Sequence, residues 1–309
     1  MQKYISTQLF RYEVTNGVSE YHAMLRVTEP RLTYTEQVDH LLTAYQHLLE
    51  PELPGTVAVF KRFFLSDAAN QANYLLATQV EHSGCALSIV GQPPLDGTKI
   101  ALWVYLQKGV NTRALPHGDY EVSHGGYRHI WSGYNFNKAS KSEYQTRLLF
   151  NDYIMRLANQ GCSLANNCIR TWFFVQNVDV NYSGVVKARN EVFLTQDLTE
   201  KTHFIASTGI AGRHADHEVK VLMDAYAVDG VEPEQIHFLY APTHLNPTYE
   251  YGVSFERGTY VDYGDRRQVF ISGTASINNR GEIMYPGDIR KQTLQLQDQN
   301  LDVHNPPIL

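Results

Sequence analysis

Two stretches in the second half of the chain carry side chains that could handle a small anion. The run Ala206-Ser207-Thr208-Gly209-Ile210-Ala211-Gly212-Arg213 is small and glycine-punctuated. Its backbone N–H groups, the Ser207 and Thr208 hydroxyls and the Arg213 guanidinium could gather around a carboxylate. The same run also suits an ordinary hairpin loop. Further on, Tyr251, Ser254 and Arg257 could reach a cleft. Read as a strand, that stretch sends Tyr249, Tyr251, Val253 and Phe255 to one face and Glu250, Gly252, Ser254 and Glu256 to the other, so not all of them line one pocket. Glu256-Arg257 also reads as a surface ion pair. The twenty tyrosines suit a pocket for a cyclic, hydroxylated ligand, or a core in which each hydroxyl finds a partner.

Composition narrows the function classes. The net charge is −6 with acidic and basic residues mixed along the chain, which disfavours nucleic acid as a partner. Three cysteines, Cys85, Cys162 and Cys168, are an odd number without ligand-like spacing. They point away from a disulfide framework or a metal site and toward a reducing compartment. No signal-peptide pattern opens the chain and no apolar run reaches membrane-span length, so the expectation is a cytoplasmic protein without a membrane partner. At 309 residues and 43% apolar content, two or three domains are expected.

The elements that would position these residues follow one order twice. Residues 127–134 read as a strand, 142–160 as an amphipathic helix with Phe150, Ile154 and Leu157 on one face, and 168–175 as a strand rich in β-branched and aromatic residues. A helix over 182–196 and strands over 203–208 and 219–228 complete the unit. Ser140 with Glu143 reads as the first helix's capping box. The same β-α-β-α-β-β order appears earlier, with strands at 21–27, 55–65, 85–90 and 99–107. A helix capped by Thr33 and Glu36 runs behind Val38, Leu41, Leu42 and Tyr45, and a second helix extends to about Val80. Residues 111–125 read as a polar linker. A third copy opens after Gly230, with strands over 237–241, 248–257 and 268–277 and a helix capped by Asp288 that dissolves within a turn or two. The fold class is α+β, helices on one face of each sheet, with units at 1–110, 111–230 and 231–309. The third unit reads as truncated, and its open edge predicts a homo-oligomer.

The repeating unit resembles the RidA/YjgF (Rid) family, and the tandem arrangement is similar to chorismatase-type members. The residues that carry this are 55–65 running into Ser66-Asp67-Ala68, and Ile169-Arg170-Thr171-Trp172-Phe173-Phe174-Val175 running into Gln176-Asn177-Val178-Asp179. With them go the Ser-Gly turns Ser132-Gly133-Tyr134 and Ser272-Gly273-Thr274, the helix Lys187-Ala188-Arg189-Asn190-Glu191, and Leu222-Met223-Asp224-Ala225.

The resemblance implies a pseudo-trimeric arrangement of units with ligand clefts between them and no cofactor. It implies a small-molecule enzyme, either a hydrolase or deaminase or a chorismatase-like enzyme, acting on a small carboxylic acid, cyclic or open-chain. The alternative is a non-catalytic ligand-binding or scaffold relative. It places Asp224 where the family carries a carboxylate that orients water or acts as a base, and Thr274 at the substrate through the Ser-Gly turn. Deaminating members hold the substrate carboxylate with an arginine fork. Here Ser83-Gly84-Cys85 and Lys201-Thr202-His203 stand at that place. His203, whose kind titrates near working pH, could replace the arginine as an acid/base or anion partner, or be structural.

Overall fold

A computed structural model describes residues 3–15, 17–79 and 84–304. In chain order the first copy contains β1 (Ile5–Tyr12), β2 (Ser19–Val27), α1 (Tyr34–His47), β3 (Val57–Leu65), α2 (Ala68–Gln79), β4 (Ala86–Gly91) and β5 (Ile100–Lys108). The second contains β6 (Asn111–Ala114), β7 (Tyr120–His124), β8 (Tyr127–Asn135), α3 (Ser142–Asn159), α4 (Leu164–Asn167), β9 (Cys168–Val175), α5 (Val178–Thr195), β10 (Ala206–Ala211) and β11 (Val221–Asp229). The remainder holds β12 (Ile236–Leu239), β13 (Gly258–Asp262), β14 (Arg267–Ile271) and α6 (Ile289–His304).

The strand order of the first sheet is β1-β2-β5-β3-β4, and the second sheet runs β7-β8-β11-β9-β10 with β6 added outside β7. Position for position these are one topology, so the duplication read from the sequence is present in the fold. The third sheet is β12-β13-β14. Packing divides the chain into two compact units: the segment up to Ser140 with Phe174–Val178 and Ala211–Asp224, and Lys141–Phe173 with Asp179–Ile210 and the segment from Ala225 on.

In the first unit, Thr33 caps α1 as expected. Its Oγ1 accepts the Glu36 N–H at 3.4 Å, and its own N–H donates to Glu36 Oε2 at 2.8 Å. Val38, Leu41 and Tyr45 of α1 and Ala72 and Leu75 of α2 pack on Ala23, Leu25, Phe63, Leu102 and Val104. Because side chains alternate along strands, both helices cover one face of this sheet. The other face carries Phe60 and Tyr105, which pack on Trp131 of β8 with ring centroids 5.6 and 5.4 Å apart. In the second unit Phe150 of α3 packs on Phe173 of β9 and Phe193 of α5 at 5.6 and 5.5 Å.

Several expectations need correction. Residues 111–125 are a hairpin, with Asn111 opposite Ser123 and Ala114 opposite Tyr120, not a linker. Lys141, not Ser140, precedes α3 and provides no side-chain cap; Glu143 pairs with Lys187 and Arg147 instead. Residues 248–257 are not a strand. Thr248–Tyr251 forms a 3₁₀ turn that ends at Gly252, whose φ of 81° breaks an extended run. The last helix continues for 16 residues to His304 instead of dissolving. Val80 and Ser83 lie outside the described residues. No helix among the described residues is long and apolar enough to cross a membrane.

Candidate functional site

A polar cluster in the second unit forms where the 255–257 segment docks beside the start of β10. Thr248 anchors that segment: its Oγ1–H donates to the Phe255 carbonyl at 2.6 Å. Asn190 of α5 donates to the Gly252 carbonyl at 2.9 Å, which fixes the preceding turn. The Glu256 N–H donates to the Ile205 carbonyl at 3.2 Å, and the Phe204 N–H donates to Glu256 Oε1 at 2.8 Å. Glu256 and Arg257 are both buried, at 6% and 4% exposure. They form no ion pair with each other, so the surface-pair reading is corrected.

Two guanidiniums lie against the Phe255 ring, Arg257 at 5.4 Å and Arg189 at 5.6 Å. Arg257 Nη2 donates to the Asn246 carbonyl at 2.7 Å, but its Nε finds no partner, and neither do Nε and Nη2 of Arg189. Arg189 is 1% exposed. Buried guanidinium nitrogens without acceptors are expensive, and the cheapest relief is an anion. Burial pushes both guanidiniums below their ordinary range, opposed at Arg189 by Tyr182 and then Tyr251, and at Arg257 by Tyr251.

Glu256, His203 and Arg257 line a small recess of about 60 Å³ together with Tyr240, Tyr249 and Thr202. Liquid water takes about 30 Å³ per molecule, so the recess admits a functional group rather than a whole ring. Burial raises the Glu256 carboxyl above its ordinary value of 4.5, with the Phe204 N–H pulling weakly the other way. His203 Nδ1 lies 3.0 Å from the Phe204 carbonyl oxygen. A carbonyl can only accept, so Nδ1 carries the proton in the neutral ring, and Nε2 is left as a base.

A carboxyl that folding raises binds its proton more tightly in the native state than in the unfolded chain. Its contribution is fully present below the unfolded value of 4.5 and is lost as pH rises through the folded value. The stability of wild type relative to Glu256→Gln, measured by urea unfolding, should therefore fall as pH climbs from 4.5. A difference that stays flat or rises would contradict the burial of this group.

Beside the recess lies a denser network. The Ser207 N–H donates to Ser272 Oγ at 2.9 Å, and the Ser272 hydroxyl donates to the Glu256 carbonyl. Thr171 donates to Ser207 Oγ at 2.9 Å, and the Gly273 N–H donates to Thr208 Oγ1 at 2.8 Å. Arg170 of β9 donates to Thr208 and Ser272 and stacks 4.9 Å from the Trp172 ring. Thr274 donates to the Ser272 carbonyl at 3.4 Å. The structure thus gathers Ser207, Thr208 and Thr274 on one network and His203 and Arg257 on one recess, with Tyr251 5.5 Å from Arg257. Ser254 is half-buried and not among the residues that line the recess.

Asp224 and Arg213 belong to the first unit. Asp224 is fully buried: Oδ2 accepts Arg62 Nε and Nη2 at 3.1 and 2.8 Å, and Oδ1 accepts the Tyr134 N–H at 2.8 Å. Phe60, Trp103 and Phe174 surround that guanidinium at 5.1–5.5 Å. Arg213 has an exposed side chain, and its backbone exchanges hydrogen bonds with Gly91 at 2.7 and 3.1 Å.

Sequence reasoning passed over Glu256 as an acid and Arg62, Arg170 and Arg189 as partners. In the sequence Arg170 and Arg189 stand out only as members of a strand and a helix. The one available signal was an ionisable group inside an apolar run. All three cysteines are buried and unpaired with one another. Among the described residues no three His, Cys, Asp or Glu side chains gather closely enough to hold a metal ion.

No family model matches the chain, and no curated protein matches it. Among solved structures a chorismatase matches at 17% identity with a TM-score of 0.60, over 82% of this chain and 73% of its own. A putative translation initiation inhibitor from Salmonella typhimurium matches at 11% identity and TM-score 0.31, over 39% of this chain and 98% of its own. A member of the YjgF protein family from Neisseria meningitidis matches at 16% and 0.32, over 40% and 98%. The chain therefore has a chorismatase-like α+β fold, and fold alone does not assign a reaction.

Proposed function

We propose that this chain is a small-molecule enzyme of the Rid type, a hydrolase or deaminase or a chorismatase-like enzyme, that acts on a small carboxylic acid at the Glu256–His203–Arg257 recess. The observation that carries this reading is the pair of buried guanidiniums with unmatched nitrogens, beside a carboxyl that burial keeps protonated to higher pH. Arg257 takes the substrate carboxylate and the buried charge of Arg189 reinforces it. Glu256 in its neutral form gives a proton to the substrate heteroatom that leaves. Water's oxygen bonds to the adjoining carbon, and His203 Nε2 receives the proton that water sheds.

The test uses the full chain with chorismate, small imino acids and aromatic carboxylates, following both thermal stability and turnover. The active carboxylate raises the melting temperature. Glu256→Gln then loses turnover by about 10²–10⁴-fold while keeping the stabilisation, and Arg257→Met loses the stabilisation. Unchanged turnover in Glu256→Gln removes the acid from the reading.

A binding module without catalysis is the second reading. Arg170, Ser207, Thr208 and Ser272 spend their hydrogen bonds on one another, which supports it. Stabilisation by a carboxylate without any turnover would favour it.

A further inference from the structure

His203 and Phe204 also border a second, larger cavity of about 350 Å³ in the same compact unit. Ligand pockets begin at about 300 Å³, so a single-ring molecule fits where the recess takes only a functional group. One wall is the three-stranded sheet. Phe238 of β12 lies directly opposite Thr259 of β13, so their side chains share a face, and Ile236, two residues along, shares it too. The His203 ring stacks on Phe238 at 4.6 Å and 15°, which makes the cavity flat-sided. Cys168 and Ile169, at the start of β9, also line it. Burial pushes the Cys168 thiol up to about 12, so that wall stays neutral.

Two facts bear on what the cavity holds. No Lys, Arg, Asp or Glu lines it, so a carboxylate would enter without a permanent counter-charge. Thr259 is 1% exposed, and its Oγ1 has no hydrogen-bond partner. A hydroxyl left unsatisfied in an apolar setting is costly, and a ligand that bonds to it recovers that cost.

The geometry points to a second binding site, distinct from the carboxylate recess, for a neutral, flat, mostly apolar ring that carries one hydroxyl, seated against Phe238 and hydrogen-bonded to Thr259. The ring fills the space between the sheet and β9, and the hydroxyl pairs with Thr259 Oγ1.

Phenol, toluene and benzoate serve as probes of the full-length protein, with binding measured by calorimetry or ligand-observed NMR. Phenol binds, and benzoate binds at least tenfold more weakly. Thr259→Val keeps the shape and removes a hydroxyl that bonds to nothing in the fold, so the variant folds. It weakens phenol about tenfold, the worth of one neutral hydrogen bond, and leaves toluene within twofold. Ile236→Trp fills the cavity and abolishes both. Glu256→Gln leaves phenol binding unchanged, so failure of the carboxylate reading does not touch this one. No phenol binding at 10 mM, equal affinity of wild type and Thr259→Val, or benzoate binding as tightly as phenol each overturns the proposal.

Discussion

Replacing Asp224 with alanine is expected to cost about 3–5 kcal/mol of folding stability, the usual penalty for leaving one member of a buried ion pair without its partner. The carboxylate is fully buried and takes two bonds from Arg62 and one from the Tyr134 N–H. Alanine would take the carboxylate away from a guanidinium that is itself only 7% exposed and would orphan a backbone donor. Asp224→Asn keeps an acceptor for Tyr134 but withdraws the charge, so it falls between wild type and alanine. The double change Arg62→Met with Asp224→Leu removes both charges and should recover most of the loss, because well-packed apolar pairs often equal a buried ion pair. Urea unfolding of the four proteins measures this. An Asp224→Ala protein as stable as wild type would show that the pair holds nothing together.

Gly133→Ala should destabilise by about 1–3 kcal/mol, the range for forcing atoms into a packed interior. A β-carbon there would fall on the Leu87 carbonyl, 2.9 Å from its carbon, and 3.1 Å from Phe60 Cε2. Backbone cannot rotate away. Ser132-Gly133 lies within β8, not in a turn; Gly273, the glycine of the later Ser-Gly pair just after β14, offers the internal control. Its added β-carbon would meet only the Thr208 side chain, with Cγ2 at 2.9 Å, and a threonine can change rotamer at a cost of about 0.5–1.5 kcal/mol. The expected order is Gly133→Ala well below Gly273→Ala. Equal losses in the two variants would mean that the β4–β8 approach is no tighter than the later one.

Local chemistry made much of the fold readable. The Thr33–Glu36 capping box and the apolar stripe behind it fix α1 from neighbours in sequence, and β9 declares itself by its aromatic run. What escaped reading has physical reasons. All four residues of β6 are exposed, so no apolar alternation marks it, and β1 at the sheet edge is little better buried. Polarity also hid the length of α6, whose later turns read Gln-Leu-Gln-Asp-Gln-Asn. In the site, His203 and Arg257 were accessible as residue types near working pH or carboxylates. Glu256 was not, because its raised carboxyl comes from burial that only the docked 255–257 segment creates. Arg62 was invisible for another reason: its partner lies 162 residues away.

The place of the last strand in each copy bears on how the chain emerges from the ribosome. In both sheets the final strand, β5 or β11, sits in the middle, between the second and third. Neither half-sheet can close across that gap beforehand, so β2 and β3 wait for residue 108 and β8 and β9 for residue 229. Until then a nascent copy presents two open strand edges and an uncovered apolar face, which is the condition chaperones recognise. Ribosome-stalled chains cut just short of β5 should therefore be protease-sensitive throughout the first copy, and chains a few tens of residues longer should resist.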